Sequence, residues 1–183
     1  MPSKFDLNEY GFRPAKESDI PFVLDLVVDG AKEGHYLDTL LDAKQQKAFR
    51  AALENVIKIG GMARRTERGD EVINCKLFIY GKREDDQVGF LLVAEKTPGS
   101  SSEVLEFYKA SIKKDRRRLG HGKNMVSLFV RNYPLPIKFF ARCYPVSFEM
   151  ISLLKGVGFE VLGKTGKGTL ELGFQKQGMR NIE

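Results

Sequence analysis

A basic glycine turn joins a strand-like segment to a helix-like segment, and this junction limits the fold more than any other feature. Residues 104–112 form an apolar run that predicts a strand. After Gly122, apolar side chains recur at helical spacing, namely Met125, Val126, Phe129 and Val130. The first N–H groups of a helix lack partners within the helix, and glycine lets a ligand approach the backbone closely. The junction therefore predicts an anion-binding site.

Hydrophobic periodicity predicts the order of the other elements. A strand over residues 8–14 precedes two helices, over about 20–28 and about 38–58, and Gly60-Gly61 ends the second. Three strands follow, over residues 72–80, 87–96 and 104–112, and Pro98-Gly99-Ser100-Ser101-Ser102 is predicted to be a hairpin loop. Beyond the third helix, the predicted elements are a strand (137–143), a helix (147–155) and two strands (159–162 and 169–174). This order predicts an α+β protein with an antiparallel meander and one βαβ-like unit.

Composition limits the classes of protein that the chain can represent. Its 183 residues suit one domain, spanning residues 1–183. No apolar run approaches the roughly 20 residues that span a bilayer, and the first ten residues lack the apolar stretch of a signal peptide. We therefore expect a cytoplasmic protein without membrane partners. Cys75 and Cys143 have no metal or redox spacing, and His35 and His121 form no ligand pair, so no metal is expected.

The formal net charge of +6 favours an anionic partner, and much of it is concentrated in Lys113-Lys114-Asp115-Arg116-Arg117-Arg118. A solvated loop is the alternative interpretation of such a run. Its position beside the glycine turn favours binding of a phosphate-bearing ligand.

The sequence Arg117-Arg118-Leu119-Gly120-His121-Gly122 resembles the R/Q-x-x-G-x-G/A motif of the GNAT acetyltransferases. The Gly158-Phe159 pair before a strand, and the order of the elements over roughly residues 8–175, are similar to that family as well. The resemblance implies the GNAT fold, a mixed twisted sheet of six or seven strands with about four helices. It also implies acetyl-CoA as the co-substrate.

The resemblance assigns the cofactor site residue by residue. The turn, with Arg117, Arg118, Leu119, Gly120, His121, Gly122 and the following Lys123, would bind the pyrophosphate of coenzyme A. Ile112 holds the position of an aliphatic residue five places before the motif. The backbone of Ile112 and Ala110 would pair with the pantetheine arm as an added strand does.

The candidate catalytic residues match the pattern of the resembled family less well than the glycine turn does. Glu106 lies eleven residues before the motif, where some members of the family carry a carboxylate base. Many members carry an asparagine and a tyrosine acid at the positions of Ser147 and Leu154, and leucine cannot donate a proton. Tyr144 is the alternative acid that we consider, and packing of its ring at a strand end is the competing interpretation.

The resulting hypothesis is transfer of an acetyl group to a primary amine on a small molecule or a protein, by direct attack in a ternary complex. A homodimer would be in keeping with the family. Two alternatives remain open: a catalytically degenerate GNAT-fold binding protein, and a basic nucleic-acid-binding module. The second lacks a recognisable nucleic-acid-binding motif.

Overall fold

The computed structural model describes residues 7–66, 69–83, 86–95, 104–134, 137–166 and 168–176. These residues form eight strands and four α-helices. The strands are β1 (Gly11–Pro14), β2 (Gly61–Thr66), β3 (Gly69–Gly81), β4 (Gln87–Glu95), β5 (Val104–Ile112), β6 (Ile137–Cys143), β7 (Glu160–Lys164) and β8 (Leu170–Lys176). The helices are α1 (Ile20–Lys32), α2 (Ala43–Ile59), α3 (His121–Asn132) and α4 (Phe148–Val157).

The strands form one mixed sheet in the order β1-β3-β4-β5-β6-β8-β7, with β2 paired to β3 beside this path. Strands β3, β4 and β5 are an antiparallel meander, as predicted. Strands β5 and β6 are parallel and joined through α3, which confirms the βαβ-like unit. The fold class is therefore α+β, and the number of strands exceeds the expected six or seven by β2.

Strand β2 was missed because its sequence, Gly61–Thr66, has little apolar alternation. Only Met62 at its start is a buried large apolar residue, and the register of the strand depends on pairing with β3. Helix α2 begins later than predicted because the Asp42 side chain accepts a hydrogen bond from the Gln45 N–H and caps the helix there. Gly60 ends α2 in the left-handed conformation (φ +69°), as expected. The predicted loop Pro98–Ser102 lies outside the described residues.

The helices bury their apolar faces on both sides of the sheet. Helices α1 and α2 cover one face around Val23, Val27 and Leu53, whereas α3 and α4 pack on the other around Val126, Phe129 and Leu154. Burial of each large apolar side chain stabilises the fold by roughly 1.5–3 kcal/mol. Within the described residues, no helix combines the length and apolarity that a membrane span requires.

Strands β5 and β6 pair only over their first residues, Val104–Phe107 with Lys138–Ala141. A β-bulge at Tyr108 disrupts the pairing of β5 with β4 at the same level, since Lys109 faces Leu92 while Phe107 faces Val93. A bulge bends its strand and increases the local twist. From Tyr108 onward the two parallel strands are no longer paired, and we call the space between them the strand gap. It opens at the end of β5 that leads to the glycine turn.

Candidate functional site

The glycine turn connects the end of β5 to α3 through a short 3₁₀ turn (Lys114–Arg116). Arg118 (φ +61°) and Gly120 (φ +88°) adopt the left-handed conformation, which reverses the chain. Gly120 is the N-cap of α3, and no side chain caps the helix there. The first N–H groups of α3 are therefore available to an anion.

Gly122 lies where α3 meets α4. A Cβ atom at this position would stand 2.8 Å from Leu153 Cδ1, so the helices approach too closely for a larger residue without adjustment. The glycine therefore serves the packing of the helices as well as access to the backbone.

Two side chains donate hydrogen bonds to backbone carbonyl groups of β5 beside the strand gap. The Tyr36 hydroxyl donates to the Ala110 carbonyl oxygen at 2.6 Å, and Arg117 Nε donates to the Ile112 carbonyl oxygen at 3.0 Å. Ala110 and Ile112 are the two residues to which the resemblance assigns strand-like pairing. A carbonyl oxygen has two lone pairs, so each can accept a second hydrogen bond.

A cavity of about 660 Å³ extends from the strand gap to the glycine turn. This size is typical of small-molecule and cofactor sites. Its lining includes five basic residues, Lys109, Arg117, Arg118, Lys123 and Arg142, and one acid, Glu149. Arg118 pairs with Glu149 at 3.0 Å. The charge of the lining therefore favours an anionic ligand.

Arg117 is the best-fixed cation of the turn. Besides its bond to Ile112, it forms an ion pair with Glu33 at 2.7 Å, and Lys114 pairs with the same carboxylate at 3.1 Å. Burial alone would raise the pKa of Glu33, but the hydrogen bonds from Arg117 and Lys114 outweigh it and lower the pKa. Glu33 therefore stays ionised and fixes the turn against the end of α1.

The residues assigned to the cofactor do not all line the cavity with their side chains. Ala110, Ile112, Arg117, Arg118, Gly120, Gly122 and Lys123 are part of the lining. The side chain of Leu119 is 40% exposed outside it. His121 is buried against Tyr10, with ring centroids 4.7 Å apart, and near Tyr80. Burial lowers the pKa of His121. Because the ring is buried away from the cavity, only the backbone of His121 could reach a ligand in the turn.

Neither assigned catalytic residue lines the cavity. Glu106 is buried on β5, and its carboxylate accepts a hydrogen bond from Arg142 Nε at 2.8 Å and pairs with another Arg142 nitrogen at 2.7 Å. Tyr144 is half-buried after the end of β6. The carboxylate of Glu106 is therefore already held by Arg142 on the neighbouring strand. The assignment of both residues to catalysis stays a prediction, and the contacts of Glu106 favour a structural role.

Lys109 on β5 lines the cavity among aromatic rings. Its Nζ lies 4.5 Å from the ring centroid of Tyr36, 5.7 Å from that of Phe49 and 5.6 Å from that of Tyr108. Burial lowers the pKa of Lys109 to about 8. The amine therefore loses its proton at a pH at which an exposed lysine keeps it.

Glu33, His35 and Ser147 form a chain of polar contacts at the cavity. His35 Nδ1 lies 3.0 Å from Ser147 Oγ, and His35 Nε2 lies 3.6 Å from a Glu33 carboxylate oxygen. His35 and Ser147 both line the cavity. We call His35, Tyr36, Lys109 and Ser147 the far wall, because they come from segments outside the glycine turn.

The resemblance pointed to the turn and, more weakly, to the loop that carries His35 and Tyr36, but nothing predicted the assembly of the far wall. His35 and Tyr36 follow α1 in a loop, and the sequence contained no signal that Ser147 would meet His35 from 112 residues away. For Ser147, the one hint was that it occupies the position at which the resembled family carries a polar asparagine. For Lys109 no such hint exists, because strand alternation does not distinguish a cavity from solvent.

The cavity offers little support for thiol chemistry. Cys143 lines it, but burial raises the pKa of this thiol to about 11, which leaves it protonated and unreactive. No group of three or more His, Cys, Asp or Glu residues suited to a metal occurs in the described part of the chain.

Comparison with known proteins identifies the fold. The sequence matches no protein-family model and has no significant match among curated proteins. The structure, however, is similar to spermidine N-acetyltransferase from Vibrio cholerae, solved in complex with CoA and spermine (TM-score 0.66, 9% identity, 92% of this chain and 96% of that chain).

Two further acetyltransferases are nearly as similar. One is an acetyltransferase from Thermus thermophilus (TM-score 0.63, 15% identity, 91% of this chain and 97% of that chain). The other is the aminoglycoside N(6')-acetyltransferase from Legionella pneumophila (TM-score 0.63, 11% identity, 91% and 92%). These identities are too low to assign the substrates of those enzymes to this chain. The alignments nevertheless cover nearly all of this chain and of each similar structure. The chain therefore has the fold of the GNAT acetyltransferases.

Proposed function

We propose that this chain is an N-acetyltransferase that moves the acetyl group of acetyl-CoA to a primary amine. The observation that carries the proposal is the position of the strand gap directly beside an uncapped, basic glycine turn, within one cavity of about 660 Å³. A long ligand with phosphates at one end and amides along its arm matches this arrangement. Its phosphates suit the glycine turn, and its amides suit the strand gap. The fold adds support, since one similar structure, the Vibrio cholerae enzyme, was solved with CoA.

The residues present fit such a ligand. The uncapped N–H groups of α3 and the cations Arg117 and Lys123 would hold the pyrophosphate. The backbone of Ala110 and Ile112, at the unpaired side of β5, would hold the pantetheine amides. The bound co-substrate supplies an acyl group already activated as a thioester. The chain's part is to position the amine and manage its proton.

The acceptor is proposed only as an amine on a small molecule or a protein. The lining of the cavity has five basic residues and one paired acid, which disfavours a strongly cationic acceptor.

We extend the proposal to one domain over residues 1–183. Cys75 and Cys143 are buried thiols rather than a disulfide, which favours a reducing location such as the cytoplasm. A homodimer, the absence of membrane partners and the absence of nucleic-acid partners remain parts of the same hypothesis.

One observation favours a second candidate, a GNAT-fold protein that binds the cofactor without turnover. Leu154 is buried and lines the cavity at the position where the resemblance leads us to expect a proton donor. Binding without any acetyl transfer, over a broad panel of amines, would favour this candidate over the enzyme.

Calorimetric titration of the purified chain with acetyl-CoA and with dephospho-CoA tests the proposal. We expect saturable binding to the wild type. Gly122→Glu should weaken binding about 100-fold or more, which equals about 2.7 kcal/mol, because it places a negative charge where the phosphates would lie. Gly122→Ala separates the steric effect on Leu153 from the effect of charge and should cost less affinity.

Gly156→Glu is the matched control. Gly156 lies in α4, outside the cavity lining, and nothing stands within 4 Å of a Cβ added there. The variant introduces the same charge on an adjoining helix and should leave affinity unchanged. The proposal fails if the wild type does not bind acetyl-CoA, or if folded Gly122→Glu binds it normally.

A further inference from the structure

The contact between His35 and Ser147 is unusual for the position of Ser147. This serine is the N-cap of α4, where its hydroxyl would ordinarily accept a bond from a helix N–H. It makes no such cap bond. Its Oγ lies instead 3.0 Å from His35 Nδ1, 112 residues away, and the two side chains meet at the cavity. The contact is therefore part of the cavity wall rather than of helix capping.

His35 is held from its other nitrogen as well. Nε2 lies 3.6 Å from Glu33, whose carboxylate is kept ionised by Arg117 and Lys114, which lower its pKa. The Glu33 carboxylate thus faces this edge of the imidazole at ion-pair distance. The imidazole side chain is 35% exposed, so it can exchange protons with solvent. Glu33 thus connects the glycine turn, through Arg117, to the His35–Ser147 pair.

Acetyl transfer creates a demand for proton transfer that Tyr36, Cys143 and Leu154 of the lining meet poorly. The Tyr36 hydroxyl already donates to Ala110, and burial raises its pKa. The Cys143 thiol is also held protonated by burial, which raises its pKa, and Leu154 carries no proton to give. His35 and Ser147 combine an imidazole and a hydroxyl in hydrogen-bond contact, and both line the cavity.

We propose that Ser147 and His35 are the proton relay of this site, with Glu33 as the residue that positions the imidazole. This inference rests on the proposed acetyl transfer. As the carbon–nitrogen bond forms and the carbon–sulfur bond breaks, the amine releases one proton and the sulfur requires one. Ser147 Oγ–H gives its proton to the sulfur, and the Nδ1–H of the His35 imidazolium replaces it. The proton released by the amine returns to His35 through solvent, so the protons balance.

Nitrogen-15 NMR of the histidine side chains in the full-length protein tests the relay without requiring an acceptor amine. The chain has only two histidines, and His121, buried against Tyr10, is an internal control. The probes are coenzyme A and desulfo-coenzyme A, which lacks the thiol. We expect coenzyme A to shift the Nδ1 resonance of His35 and desulfo-coenzyme A to leave it nearly unchanged. Both should shift the backbone amides of Gly120 and Gly122.

Two variants separate the relay from a structural contact. Ser147→Ala should abolish the shift of His35 on addition of coenzyme A, and Ser147→Thr, which keeps the hydroxyl, should retain it. The comparison of the two ligands in the wild type needs no variant, so it decides the question even if Ser147→Ala does not fold.

The outcomes that would overturn the relay differ from those that would overturn the proposed function. Equal shifts of His35 with both ligands, or a shift that persists in Ser147→Ala, would refute the relay while binding at the turn stands. Absence of amide shifts at Gly120 and Gly122 with either ligand would refute the cofactor site and, with it, the relay.

Discussion

The glycine turn and the far wall line the same cavity, but they are built in different ways. The turn is one stretch of chain, Arg117 to Lys123, whose backbone conformation follows from Gly120 and the left-handed Arg118. The far wall is assembled from the loop after α1, from β5 and from the start of α4, and three long-range contacts hold it together. Local residues therefore determine the backbone path of the first region, whereas the second exists only once the tertiary fold has formed.

The ion pair that joins β5 to β6 before the strand gap should give the largest effect on stability. Arg142→Ala leaves the carboxylate of Glu106 buried without its partner, which we expect to lower the free energy of unfolding by about 2 kcal/mol. The loss stays below that of a fully buried pair because Arg142 is 45% exposed. Chemical denaturation of the variant measures it.

The double variant Glu106→Gln/Arg142→Ala is the control for that experiment. If the pair is structural, the double variant should recover part of the stability lost in Arg142→Ala, because no charge remains buried. A wild-type stability for Arg142→Ala would contradict the account and would return Glu106 to consideration as a base.

Two adjacent arginines of the turn differ in how firmly their side chains are held. Arg117 is fixed by Ile112 and Glu33, whereas the side chain of Arg118 is 86% exposed. Arg117→Ala should weaken binding of coenzyme A about tenfold, or about 1.4 kcal/mol, and Arg118→Ala should weaken it much less. Calorimetry on both variants compares them directly. Equal losses would show that net charge, rather than fixed geometry, governs binding at the turn.

The smallest expected effect concerns Lys109 in the far wall. Burial lowers the pKa of this amine to about 8, so the folded state carries the cost of a buried charge below that pH. Lys109→Met should therefore be more stable than the wild type at pH 7, by about 1 kcal/mol, because the cation–π contacts offset part of the roughly 3 kcal/mol that the shift represents. Between pH 8 and 10.5 the unfolded lysine holds a proton that the folded one has lost, so the stability of the wild type relative to Lys109→Met should rise.

The pH dependence of unfolding, followed for both proteins from pH 7 to above 10.5, checks this prediction. A constant difference across the range would mean that the cation–π contacts with Tyr36 and its neighbours offset the burial of the charge.

The sequence predicted most of the fold because periodicity and caps are local signals. The β5–turn–α3 junction, the meander and the end of α2 at Gly60 all follow from residues within a few positions of one another. Strand β2 was missed because pairing with β3, rather than its own apolar pattern, defines it. At the site, the approach of Ser147 to His35 depends on the packing of α4 beside the loop after α1, which no local pattern encodes.

The same limit applies to residues assigned by spacing. The spacing of Glu106 from the motif placed it on β5 but could not reveal Arg142 on the neighbouring strand. His121 lies within the motif, yet its ring packs against Tyr10 and Tyr80, outside the cavity lining. Spacing therefore predicted the backbone path better than the environment of each side chain.

The measurement that tests the central claim most directly is protection of backbone amides from hydrogen exchange on addition of acetyl-CoA. If the strand gap and the glycine turn hold the co-substrate together, the amides of Ala110, Ile112, Gly120 and Gly122 should all become protected, and amides in β2 should not change. Protection confined to other segments, or none at saturating acetyl-CoA, would contradict the account.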